Sequence, residues 1–157
     1  MIQRPLSQRA PRPEGEVPMK WYKFVIYLQL WFTLLSGVMN GLSMLTGSCY
    51  DGMAERLYET YAGLPYIDKS YGMILMGWGI FAVYVRQHLA KYMADGPKLY
   101  LLLLAINPVS ALVYNLIAGA IVGGLDVMSL AITVIVNAII IELNHIYFQK
   151  RQHLFVN

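Results

Sequence analysis

The sequence predicts an all-α, polytopic membrane protein: an antiparallel four-helix transmembrane bundle with both termini cytoplasmic and a short interfacial helix in the first external loop. Three observations predict this class. Residues 24–45, FVIYLQLWFTLLSGVMNGLSML, run for 22 positions without a charge. As a helix rising 1.5 Å per residue they reach roughly 33 Å, enough to cross a hydrocarbon core of roughly 30 Å. Composition points the same way, with 57% hydrophobic and 13% charged residues against about 25% charged in a soluble domain. Lastly, lysine and arginine punctuate the apolar stretches instead of clustering on a polar surface. That pattern argues for topology signals and against a nucleic-acid partner, despite the net charge of +3.

Residues 1–18 read as a disordered basic cytoplasmic tail. Arg4, Arg9 and Arg12 lie among prolines and two glutamates, with no separate apolar core of the kind a secretory signal needs. Residues 19–157 form the four-span domain. Met19-Lys20-Trp21-Tyr22-Lys23 is a basic and aromatic collar suited to the headgroup layer. In span 1 (about 24–45), Gln29, Thr33, Ser36, Asn40 and Ser43 recur every three or four residues. They share one helical face, which is expected to point into the bundle. Gly37 and Gly41 beside that face form a G-x-x-x-G pair that permits close backbone approach.

The connection 47–70 holds Asp51, Glu55, Glu59 and Asp68 together with Arg56 and Lys69. Ser48 and Asp51 have capping-box spacing, Met53, Leu57, Tyr61 and Leu64 recur at helical intervals, and Gly63 with Pro65 is expected to stop the helix. Five tyrosines, Tyr50, Tyr58, Tyr61, Tyr66 and Tyr71, suit interfacial depth. Asp51, Glu55 and Glu59, four apart, read as a solvated face without the glycine turn of a calcium loop.

Span 2 (about 67–89) is long enough to cross only if Lys69 and Arg86 snorkel to opposite interfaces. A basic turn through Asp95-Gly96-Pro97 leads into span 3 (about 99–122), where Asn107-Pro108 predicts a kink. Ala111, Asn115, Gly119 and Gly123 form a small-residue seam four apart for a neighbouring helix. Gly123-Gly124-Leu125-Asp126 leaves so little chain that spans 3 and 4 must be antiparallel neighbours. Span 4 (about 127–148) carries Ser129, Thr133, Asn137 and Asn144 near one face and the single intramembrane acid, Glu142. Placing both termini in the cytoplasm puts ten of the twelve basic residues inside.

The chemistry-bearing groups are few. Glu142 and His145 have the Glu-x-x-His spacing of di-iron bundles, but such a site needs two of these motifs and two further carboxylates. Glu142 is instead expected to pair with Arg86, His145 or Lys98 at the inner ends of the helices. His88 and His145 lie too near the interface to hold a haem, and no cofactor is expected. Cys49 is the one cysteine, so neither an internal disulfide nor a cysteine zinc site is available within one chain. Nucleophile elbows, phosphate loops and zinc-protease motifs are absent from the sequence, and a non-enzymatic role is expected.

What remains is a polar seam of Gln29, Ser36, Asn40, Asn107, Asn115, Asn137, Glu142 and His145, with packing positions at Gly37, Gly41, Gly119 and Gly123. These fit a small accessory or interaction protein that works by helix packing, with itself or with a membrane-protein partner, in a lipid bilayer. The alternative is a small transporter or channel using Asn40, Asn107, Asn137 and Glu142.

The closing run Asn144-His-Ile-Tyr147-Phe148-Gln-Lys150-Arg151-Gln-His-Leu154-Phe155 resembles the ending of uncharacterised four-span membrane proteins of Gram-positive anaerobic bacteria. Trp21-Tyr22-Lys23-Phe24 and the segment from Asn40-Gly41 to Gly47 are similar as well. The resemblance covers roughly residues 20–155. It implies the fold and a bacterial cytoplasmic membrane, and it brings no activity. Many of those proteins carry a cysteine-paired zinc ribbon before the first span; an arginine- and proline-containing tail stands there in this chain.

Overall fold

A computed structural model describes residues 19–155, in which helices account for the regular structure and no strand occurs among the described residues. The tail predicted over 1–18 lies outside them. Five helices follow one another: α1 (Lys20–Thr46), α2 (Ala54–Thr60), α3 (Leu64–Ala90), α4 (Gly96–Val122) and α5 (Val127–Gln149). By length and composition α1, α4 and α5 are apolar enough to cross a membrane. α3 is equally long but carries Asp68, Lys69 and Arg86.

The helix ends follow local chemistry. Gly47 and Gly123, at φ 74° and 78°, take the left-handed conformation that closes α1 and α4. Asp126 caps α5 by accepting from the Ser129 N–H at 3.0 Å. Asp126→Ala should therefore cost about 1 kcal/mol in unfolding followed in detergent micelles, a typical cap contribution. Two expectations need correction here. Pro65 does not stop a helix but lies in the first turn of α3, after Gly63, where its missing N–H has no partner to lose. The Ser48/Asp51 capping box does not form. Ser48 to Tyr50 make a 3-10 turn, Asp51 is left-handed at φ 48°, and the Ser48 hydroxyl lies 3.0 Å from that of Thr46 and 3.1 Å from that of Ser43.

Within α1, Val25–Gln29 forms a π-helical segment. The wider turn lets the carbonyl of Ile26 accept from Arg86 Nε at 3.1 Å, and the Arg86 guanidinium lies 5.0 Å from the Trp31 ring. Arg86, expected to snorkel, is thus held by α1.

Packing follows chain order: α1 on α3, α3 on α4, α4 on α5. Neighbours are antiparallel. Gly37 sits against Gly79 and Gly41 against Gly72, while the Tyr22 hydroxyl at the other end of α1 donates to the Leu89 carbonyl. α3 buries Leu64, Asp68, Gly72, Leu75, Gly79, Ala82, Val85 and Leu89, one face at three- and four-residue spacing.

The helices close on one another at one end only, where α1 reaches α5 through Trp21 Nε1 to Asn144 Oδ1 (3.0 Å) and the Tyr22 N–H to the Tyr147 hydroxyl (3.1 Å). There the core gathers Tyr22, Ile26, Leu30, Val85, Leu89, Tyr100, Leu103 and Phe148. Phe155 folds back into it against Tyr22, Tyr92 and Phe148. Toward its start α5 opens out. Nothing over 127–143 is buried, and Leu130, Thr133, Asn137 and Ile141 are the half-buried positions.

Candidate functional site

At the open end lies the most enclosed acid among the described residues. Asp68, on the second turn of α3, has no exposed surface. Tyr50 and Tyr58 donate to its Oδ2 at 2.9 and 3.0 Å, and Tyr114 of α4 donates to its Oδ1 at 2.9 Å. Three phenols supply the hydrogen bonds that an acceptor-only carboxylate requires once water is excluded. The cage ties the 47–63 connection to two long helices, because Tyr50 and Tyr58 come from the connection and Tyr114 from α4. Tyr71 stacks on Tyr114 with centroids 4.4 Å apart.

The fold explains this position. α3 lies between α1 and α4, so its buried face meets protein, and the four-residue step from Leu64 to Asp68 to Gly72 puts the carboxylate on that face. Burial, and then the hydrogen bond to Asp68, push the Tyr58 phenol above its ordinary value. Burial is also the largest cause of the upward shift of Tyr50. Cys49 is exposed, yet its thiol is raised by partial desolvation and, next, by the charge of Asp68.

Beside the cage, a cleft of about 510 Å³ runs between α4 and α5. Tyr50, Leu57 and Leu64 roof it, Pro108, Ala111, Asn115 and Ala118 line it from α4, and Ser129, Leu130 and Thr133 from α5. Tyr50 and Tyr114 belong to cleft and cage together. Asp126 belongs to the lining too, which among the described residues holds no lysine, arginine or histidine.

The residues singled out from sequence do not converge on one place. Gln29 accepts from the Tyr100 hydroxyl at 2.9 Å in the core. Ser36 and Asn40 bond to each other at 2.9 Å on exposed surface, so the polar face of α1 does not point wholly inward as expected. The inward place is taken by Gly37 and Gly41, both buried, because only glycine admits the α3 backbone that closely. Asn107 is half-buried, its carbonyl accepts from Ser110, and Pro108 does not interrupt α4.

Asn115 and Asn137 each donate to the carbonyl four residues back, at 2.8 Å. Glu142 is exposed and the half-buried His145 lies 4.0 Å from it. Of the partners expected for Glu142, His145 is the one the structure places beside it. Gly119 and Gly123, expected as a seam for another helix, serve the α4 to α5 turn: a Cβ on Gly119 would come within 2.9 Å of the Gly124 carbonyl, and Gly123 holds the left-handed end of α4. Among the described residues no group of three or more histidine, cysteine or acidic side chains is placed to hold a metal ion. In the sequence Asp68 stands in the charged 47–70 connection, at the start of span 2, with nothing to set it apart from the other acids there. The signal that could have found it is its place four residues before Gly72 and eleven before Gly79, on the same α3 face.

Against known proteins, no family model, no curated protein and no solved structure matches this chain.

Proposed function

We propose that the chain is a multi-pass protein of a bacterial cytoplasmic membrane, crossing it four times through α1, α3, α4 and α5 with both termini inside, and that it acts by helix packing as a small non-enzymatic accessory subunit. The kinship with four-span membrane proteins of Gram-positive anaerobes belongs to the same proposal. Hydropathy leaves α3 out of the apolar set. Two of its three charges are met by protein, however, since Asp68 is caged and Arg86 rests on α1, while Lys69 is exposed in the second turn of the helix. The long helix with the weakest lipid signature is packed between two others, α1 and α4.

The observation that carries the packing role is the exposed Ser36–Asn40 pair, well inside the 27-residue α1. An amide and a hydroxyl facing hydrocarbon are costly, and a polar face on a second membrane helix relieves that cost. Passage of a solute is less supported, because Asn115 and Asn137 spend their amide donors on their own helices.

The test is crosslinking in native membranes. In a Cys49→Ser background, Ser36→Cys and Asn40→Cys should each give an adduct of discrete mass with a polypeptide, whether a second copy or another protein. Absence of any polypeptide adduct from both positions would overturn the packing role.

A further inference from the structure

We propose that the cleft between α4 and α5 is a binding site for a lipophilic organic cation, with Asp68 supplying the charge from behind its tyrosine screen. Four observations meet there. The cleft holds about 510 Å³, within the size range of sites for drug-sized molecules. Pro108, Ala111, Ala118 and Leu130 give it apolar wall, and Asn115, Ser129 and Thr133 add uncharged polar groups beside the two tyrosines. Two of its rings, Tyr50 and Tyr114, spend their hydroxyls on Asp68, and electron-rich aromatic surface attracts cations. The charge balance is one-sided, with Asp126 in the lining, Asp68 one hydrogen bond away, and no base in the wall among the described residues.

Burial makes that balance effective. A carboxylate with no exposed surface, whose hydrogen-bond partners are three neutral phenols, leaves its field unscreened by water or by a counter-ion among them. The bases of the neighbouring chain, Arg56 and Lys69, are exposed and solvated. An anion entering the cleft would meet repulsion from both carboxylates, and a neutral apolar molecule would gain nothing from them. The occupant that uses all the features is a monovalent cation with an apolar body, its charge toward Tyr50 and Tyr114 and its body along the α4 and α5 wall.

The experiment is titration calorimetry of the full chain in maltoside micelles with benzyltributylammonium as the probe, against a blank of empty micelles. Saturable binding at one site is expected. Asp68→Asn, which keeps an acceptor for the phenols and removes the charge, should weaken it by about tenfold or more. Ala118→Phe, which fills the cleft one turn beyond Tyr114 and leaves the carboxylate in place, should abolish it. Thermal unfolding of each variant shows whether it is folded, and if Asp68→Asn is not, the comparison of Ala118→Phe with Asp126→Asn decides. No saturable binding, or equal binding in the parent and in the folded variants, would overturn the proposal. Neither result depends on the crosslinking above, so this site and the packing role stand or fall separately.

Discussion

Asp68→Leu is expected to be the most damaging single substitution in the chain, lowering the unfolding free energy in detergent by about 3–5 kcal/mol. Leucine roughly preserves the volume, but it strands the hydroxyls of Tyr50, Tyr58 and Tyr114 without their shared acceptor. Each buried donor left unmade costs about 1–3 kcal/mol, and rearrangement of the connection recovers part of the sum. Asp68→Asn retains an acceptor and should cost distinctly less, about 1–2 kcal/mol. Tyr58→Phe removes one donor and leaves the carboxylate two, so about 1 kcal/mol is expected. Denaturant or thermal unfolding of the four proteins in one micelle checks the order. If Asp68→Leu is as stable as the parent, the cage does not hold the connection to the helices.

The second large effect is expected at the α1 to α3 contact. A Cβ on Gly37 would lie 2.7 Å from the Gly79 Cα and 2.8 Å from the Leu75 carbonyl oxygen. Backbone atoms cannot rotate away, so Gly37→Ala must push the helices apart, and overpacking of this kind costs about 1–3 kcal/mol. Gly79→Ala meets its nearest atoms at 3.0 and 3.1 Å and should cost less. Gly77 has nothing within 4 Å of its would-be Cβ and lies in the same helix. Gly77→Ala should therefore stabilise by about 0.5–1 kcal/mol through helix propensity alone. Opposite signs at Gly37 and Gly77 distinguish close packing from a general effect of adding a methyl group.

The long helices were legible because their cues are local: charge-free length, the turn through Gly123-Gly124-Leu125-Asp126, and Pro97 opening α4. The short helix of the connection was legible for the same reason, from the spacing of Met53, Leu57 and Tyr61. Pairings across the fold were not. Gly37 and Gly41 announce a close contact without saying with what, and the answer lies in Gly79 and Gly72, whose seven-residue separation resembles no short motif. Asp68 stood among four acids and two bases of a polar-looking stretch, and its phenol partners are 10, 18 and 46 residues away. Tyrosines at that depth carry the same signature whether they face headgroups or a buried carboxylate. The return of Phe155 to the core was hidden because it comes after the charged pair Lys150 and Arg151, past the end of span 4.

Whether α3 crosses the membrane decides the account, and its two ends can be compared in intact cells with a membrane-impermeant maleimide. Cys49 precedes α3 and is exposed; in a Cys49→Ser background, Ala94→Cys places the single thiol in the exposed turn after it. Because desolvation and Asp68 raise the Cys49 thiol, its thiolate fraction grows only as pH rises past the ordinary thiol range, so labelling is done at alkaline pH and should accelerate with pH. The expected result is labelling of Cys49 in intact cells and of Ala94→Cys only after permeabilisation. Labelling of both thiols from the same side would contradict a spanning α3 and the four-span topology with it.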